Sequence, residues 1–145
     1  NTKNIMKTNK TNEKKYEVNK IAALCIRNKK LLIVHKRSLN KYITLGGKIR
    51  QGENELDCLS REVKEELGCK IKNPRYFSTF YRNSHNRHLC ISCYLCELKG
   101  DIKLNKNDSI NGYLWIDRHW KQMNIKLTPM LKHQIISELR GGGLL

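Results

Sequence analysis

Residues Gly47–Cys69 read GKIRQGENELDCLSREVKEELGC, and this stretch decides the fold. It opens as a glycine-rich turn and continues as a helix. Between Glu53 and Leu67 there is no proline and no glycine, so nothing interrupts helical hydrogen bonding. Leu56, Leu59, Val63 and Leu67 recur at helical spacing and form one apolar stripe. At about 100° per residue, Glu62, Glu65 and Glu66 fall within roughly 100° of one another on a neighbouring face. Carboxylates that close repel one another. A hard divalent cation bound by their oxygens removes the repulsion, and Mg²⁺ in such sites usually also takes substrate phosphates. The plainer reading is a solvated acidic face. Against it, the chain has 13 acidic and 29 basic residues, yet Glu53, Glu55, Asp57, Glu62, Glu65 and Glu66 all fall in this one segment.

Gly47, Glu53, Arg61-Glu62-Val63, Glu65-Glu66 and Gly68 stand at separations that resemble the signature of the Nudix hydrolases. That signature is Gly, five residues, Glu, seven residues, Arg-Glu, an aliphatic, any residue, Glu-Glu, any residue, Gly, an aliphatic; only the last position differs, as Cys69. The likeness extends to LLIVHKR (Leu31–Arg37) and YLWID (Tyr113–Asp117), from about Lys20 to Arg140. It sharpens an α+β pattern of strands, helix, strands, helix into the Nudix fold, a mixed β-sheet sandwiched between helices.

The resemblance implies hydrolysis of a nucleoside diphosphate linked to a group X, giving a nucleoside monophosphate and phospho-X. Glu62, Glu65 and Glu66, with the carbonyl of Gly46, are the implied ligands of Mg²⁺ or Mn²⁺. Glu53 and Arg61 are implied to pair across loop and helix, and in some relatives the residue at Glu53 acts as general base. Glu97 is a secondary candidate for an extra carboxylate. Arg37, Lys48 and Arg50 are the cations expected to meet substrate phosphate. Three departures are visible: Leu45 where many relatives have proline, Arg50 where they have an acid, and Ser109 where an acid precedes the residue matching Ile110.

The chain looks most like MutT-type enzymes acting on (deoxy)nucleoside triphosphates. ADP-ribose, nucleotide sugars, dinucleoside polyphosphates and RNA 5′ ends remain open. A reading of another class is a non-catalytic Nudix domain that binds nucleotides or RNA. Inactive members normally lose box carboxylates, and all are present here.

At 145 residues the chain suffices for one domain with a real core. Residues 1–19, polar and rich in Lys, Asn and Thr, are expected to be a disordered basic tail, with the domain over 20–145. A net charge of +16 favours polyanionic partners, RNA among them. No apolar run approaches the roughly 20 residues of a membrane span, and no signal-peptide pattern opens the sequence given. A cytoplasmic monomer or homodimer with six reduced cysteines is expected.

Along the chain, Ile21–Ile26 and Leu31–Val34 read as buried strands joined by the polar turn Arg27–Lys30. Lys70–Lys72 and Arg75–Tyr81 read as strand interrupted at Asn73-Pro74, followed by a polar turn over Arg82–His88 and a strong strand over Leu89–Leu98. The Cys90, Cys93, Cys96 spacing invites a metal reading. Alternation along a strand puts Cys93 opposite the other two, so buried thiols are expected instead. Gly112–Asp117 is the last strand, with Trp115 expected to pack. Thr128-Pro129 is expected to start a helix that runs to Arg140 with Leu131, Ile135, Ile136 and Leu139 on one face.

Overall fold

The LLIV run (Leu31–Val34) has no polar residue because neither of its faces meets water. In the computed structural model, which describes residues 18–84 and 87–145, Leu31 and Ile33 point into one core and Leu32 and Val34 into another. Strand alternation divides the same run between two layers. Six strands form the sheet: β1 (Val18–Arg27), β2 (Lys30–Lys36), β3 (Lys41–Lys48), β4 (Lys70–Ser84), β5 (Arg87–Lys99) and β6 (Ile110–Ile116). Their order is β4-β5-β1-β3-β2-β6, with a further β1–β2 pairing. Only β1–β5 is parallel, so the sheet is mixed. Asn28 and Lys29, both left-handed, make the tight turn between β1 and β2.

Helix α1 (Glu55–Leu67) covers one face, packing Cys58, Leu59, Val63 and Leu67 on Ile21, Leu32, Val34 and Leu45. The other face carries a wide π-type turn, Leu131–Ile135, running into α2 (Ile136–Gly141). Leu131, Ile135, Ile136 and Leu139 are buried there, as their spacing requires. The α/β/α sandwich expected of an α+β chain is therefore present. Cys93 belongs to the α2-side core and Cys96 to the α1-side core. Among the described residues no cluster of His, Cys, Asp or Glu is gathered to hold a metal. Trp115 packs at the α1-side core with the Arg27 guanidinium 5.2 Å over its ring.

Several local expectations are corrected. Gly46 and Gly47 lie inside β3, paired with Ala22 and Ile21 of β1, and the turn follows them. Asn73-Pro74 does not break β4. The ladder shifts register between Lys72 and Arg75, with Asn73 left-handed, so the pair forms a bulge. Arg82–Ser84 and Arg87-His88 continue the strands and leave only residues 85–86 outside the description. Val18 and Asn19 already belong to β1; the rest of the expected tail, residues 1–17, lies outside the described residues. Leu56 is 45% exposed, so the buried stripe starts at Cys58.

α1 begins where Asn54 caps it, its side chain accepting from the Asp57 amide at 2.8 Å. It ends at Gly68, which takes the left-handed cap conformation and donates its N–H to the Lys64 carbonyl. Asn54→Ala should cost about 1 kcal/mol, read as a lower denaturant midpoint at unchanged m-value.

Candidate active site

The loop between β3 and α1 is tied down by one side chain. Arg61 Nε and Nη2 donate to the two oxygens of Glu53 at 2.7 and 3.0 Å, a bidentate pair. Nη2 also reaches the Lys48 carbonyl at 3.1 Å. Nη1 donates to Glu62 at 3.0 Å and to Glu65 at 3.3 Å. The Arg50 amide supplies a further bond to Glu53 at 2.9 Å. Arg61, chiefly, and then that amide hold the Glu53 carboxyl down to about 2. With both oxygens engaged and its basicity lowered, Glu53 is placed to brace the loop and poorly placed to take a proton.

Glu62 and Glu66 face the two glycines of β3. The Gly46 amide donates to Glu66 Oε1 at 3.2 Å, and Glu66 is only 6% exposed. A Cβ on Gly47 would stand 2.5 Å from the Glu62 carboxyl carbon, so the missing side chain is the space that the carboxylate occupies. Burial, above all, raises the Glu66 carboxyl to about 9, and the charges of Glu62 and Asp108 push the same way.

Asp108, which the sequence reading did not single out, adds its charge to those acting on Glu66. It stands one position before Ser109, its carboxylate accepting from the Ile110 amide at 3.4 Å and from the Ser109 hydroxyl at 3.3 Å. Glu97, the expected extra carboxylate, accepts from Asn73 at the β4 bulge and is exposed there.

Glu65 is the most exposed of the expected ligand set. Its side chain is 47% exposed and paired with Arg61 and, at 3.7 Å, with Arg50. The box carboxylates thus form no closed cage among the described residues. A hard divalent cation does not need one, because Mg²⁺ usually keeps several waters and takes one or two carboxylates plus substrate phosphates. Glu62 and Glu66, crowded and poorly solvated, are a donor set that fits such an ion.

Beside the glycines lies a cavity of about 270 Å³. Gly46 and Gly47 form one wall; Lys20, Lys36, Arg82 and Arg87 line it from four strands; Ile43 and Met130 contribute to its apolar floor. None of the cations expected at the phosphates lines it. Arg37 borders a separate hollow with Asn105 and Lys106, and Arg50 leans on Glu65. Lys48 offers its carbonyl to Arg61, although its charge reaches Lys20. The lining cations lie up to 67 positions apart in sequence; that widest pair, Lys20 and Arg87, comes to the same end of the sheet because β1 runs parallel to β5. One signal was available: Lys20 is the single charged residue on the strand face shared by Ala22 and Leu24.

Comparison with known proteins agrees with this geometry. A model of the Nudix domain matches residues 18–133. The NAD-capped RNA hydrolase NudC of Vibrio parahaemolyticus is 42% identical over 60 residues, which is 41% of this chain and 23% of that protein. The chain thus matches less than a quarter of that relative's length. The crystal structure of a MutT Nudix hydrolase from Burkholderia pseudomallei superposes with a TM-score of 0.71 at 18% identity, covering 83% of this chain and 95% of that one. The Bacillus subtilis pyrophosphohydrolase BsRppH gives 0.68 at 18% identity, covering 87% and 83%. At such identities these structures speak to the fold alone. The family match spans most of the domain and includes the whole loop–helix built around Arg61, so this chain belongs to the Nudix hydrolase family.

Proposed function

We propose that the chain hydrolyses a nucleoside diphosphate linked to a group X, with (deoxy)nucleoside triphosphates of the MutT kind as first candidates. The observation that carries this reading is the shared wall: Gly46 and Gly47 have Glu62 and Glu66 against them and also line a cationic cavity. Water adds to a bridging phosphorus, the P–O bond to the leaving phosphate breaks, and the water's proton goes to a carboxylate. Glu62 and Glu66 with the Gly46 carbonyl would hold Mg²⁺ or Mn²⁺; Glu65 would join them by releasing Arg61 and Arg50. When bound, the ion offsets diphosphate charge and makes water more acidic. Arg61 and Glu53 keep the loop fixed, so that the glycine wall and the helix face stay in register. The proton acceptor comes from Glu62, Glu66 or Asp108, since Glu53 is saturated by Arg61.

A second reading has a specific observation behind it. The curated relative matched over 60 residues is named for RNA ends, and the open cations of the cavity suit a phosphodiester. RNA 5′-end hydrolysis is therefore the first alternative to free nucleotides.

Two measurements test the proposal together. Phosphate or pyrophosphate release with Mg²⁺ should appear for at least one member of a panel of dNTPs, ADP-ribose, diadenosine polyphosphates and 5′-triphosphorylated RNA. Mg²⁺ should also raise the melting temperature, by the equivalent of about 2.7 kcal/mol at a hundredfold excess over its dissociation constant. No release from any substrate with Mg²⁺ or Mn²⁺ overturns the assignment.

A further inference from the structure

Cys25 of β1 and Cys96 of β5 stand directly opposite one another on the parallel ladder, and their sulfurs lie 3.6 Å apart. Both belong to the α1-side core, Cys25 being 2% and Cys96 5% exposed. Neighbouring strands run about 4.8 Å apart. A disulfide spans roughly 4.4–6.8 Å between α-carbons. Two cysteines in register on one face therefore stand at bonding range before any backbone movement, and rotation about their side-chain bonds is what remains to bring the sulfurs together.

Two buried thiols in contact can be inert packing. This pair is not symmetrical, however. An S–H donated by Cys25 favours the thiolate of Cys96, so Cys96 is held below the ordinary thiol value and Cys25 is raised. Burial pushes Cys58, Cys69, Cys90 and Cys93 upward as well. Of the six thiols, Cys96 is thus the one moved toward its nucleophilic form, and it alone has that form beside a second sulfur already in place. Because it is buried, a small oxidant can reach it where a bulky disulfide cannot.

We propose that Cys25 and Cys96 are an oxidative modification site, closing to a reversible intramolecular disulfide when the protein meets small hydroperoxides. The Cys96 sulfur attacks a peroxide oxygen, the O–O bond breaks, and water or an alcohol leaves, so that Cys96 becomes a sulfenic acid. The Cys25 sulfur then attacks the Cys96 sulfur. The S–O bond breaks and the hydroxyl leaves as water, taking the Cys25 proton. In sum two thiols lose two electrons and one hydroperoxide gains them. Capture by Cys25 keeps Cys96 from the further, irreversible steps of oxidation. The link ties β1 to β5 across 71 positions of sequence and rests on no part of the hydrolase reading.

The test treats the full chain with hydrogen peroxide, alkylates the remaining thiols under denaturing, non-reducing conditions, and reads the products by mass spectrometry. Wild type should lose two hydrogens, and trypsin should release the peptide Ile21–Arg27 linked to His88–Lys99. Dithiothreitol should undo both. The second peptide also carries Cys90 and Cys93, so Cys90→Ser should keep the link and Cys96→Ala should abolish it. In Cys25→Ala, Cys96 should instead gain oxygen that dithiothreitol does not remove. Melting temperatures before peroxide check that each variant folds. Exposure alone makes the opposite forecast, because Cys90 is the one thiol that is not fully buried. Oxygen added to Cys90 in wild type with no link between Cys25 and Cys96, links only between chains, or a link that survives in Cys96→Ala overturns the proposal.

Discussion

Glu66→Gln is expected to lower turnover by roughly 10²–10⁴ while leaving the protein folded. The argument starts from the one hydrogen bond that positions this side chain. Gly46 donates its amide to Glu66 Oε1, and a glutamine carbonyl at the same place accepts that bond equally well. What the substitution removes is the capacity to ionise. Burial beside Glu62 raises the Glu66 carboxyl to about 9, so near neutral pH the metal-free folded protein must hold a proton there that the unfolded chain releases, and that proton uptake costs stability. A neutral amide relieves that burden, and the melting temperature of the metal-free variant should equal or exceed that of wild type. The same change removes one anionic oxygen donor for a hard cation and one candidate proton acceptor. The combination separates function from structure: activity collapses, stability does not, and the Mg²⁺-induced rise in melting temperature shrinks. A folded variant with wild-type turnover would remove Glu66 from the chemistry.

The parts of this site legible in sequence are those set by fixed local separation. Glu53 and Arg61 lie eight positions apart because one stands on the loop and the other two turns into α1, and the bidentate pair needs both there. Glu62 and Glu66 lie one helical turn apart and so reach the same glycine wall. The LLIV run was legible for another reason, since a strand covered on both faces has no place for a polar residue.

Less was visible where tertiary pairing overrides local chemistry. Adjacent glycines suggest a turn, yet the β1 ladder keeps Gly46 and Gly47 within β3. Asn-Pro suggests a break, yet β5 continues to pair on both sides of it. The cavity cations could not be picked out among 29 basic residues, because Lys20, Lys36, Arg82 and Arg87 stand on four strands, β1, β2, β4 and β5, that only the assembled sheet brings together. Asp108 was not legible because its effect on Glu66 depends on where the loop before β6 comes to lie, which no local spacing sets.

Gly46→Ala should be the most destabilising single change at the site, about 3–5 kcal/mol, seen as a melting temperature lower by roughly 10–20 °C. Two independent constraints meet at this residue. Its φ of 142° lies where an L side chain is strained whatever surrounds it. A Cβ there would also overlap the Ile21 carbonyl oxygen and stand 2.9 Å from Ala22 Cα. Both obstacles are backbone, so no rotamer change relieves them. The chain must instead pull β3 away from β1 across the pairing of Ala22 with Gly46 and Ile21 with Gly47. That movement would carry the Gly46 amide away from Glu66 and loosen the wall that the carboxylates share with the cavity. Gly52→Ala is the matched control. Its φ is 79°, but no atom lies within 4 Å of the added methyl, so only the backbone strain remains, about 1 kcal/mol. Comparable melting temperatures for the two variants would show that the β1–β3 contact yields easily, and that Gly46 is kept for its carbonyl rather than for the closeness of two strands.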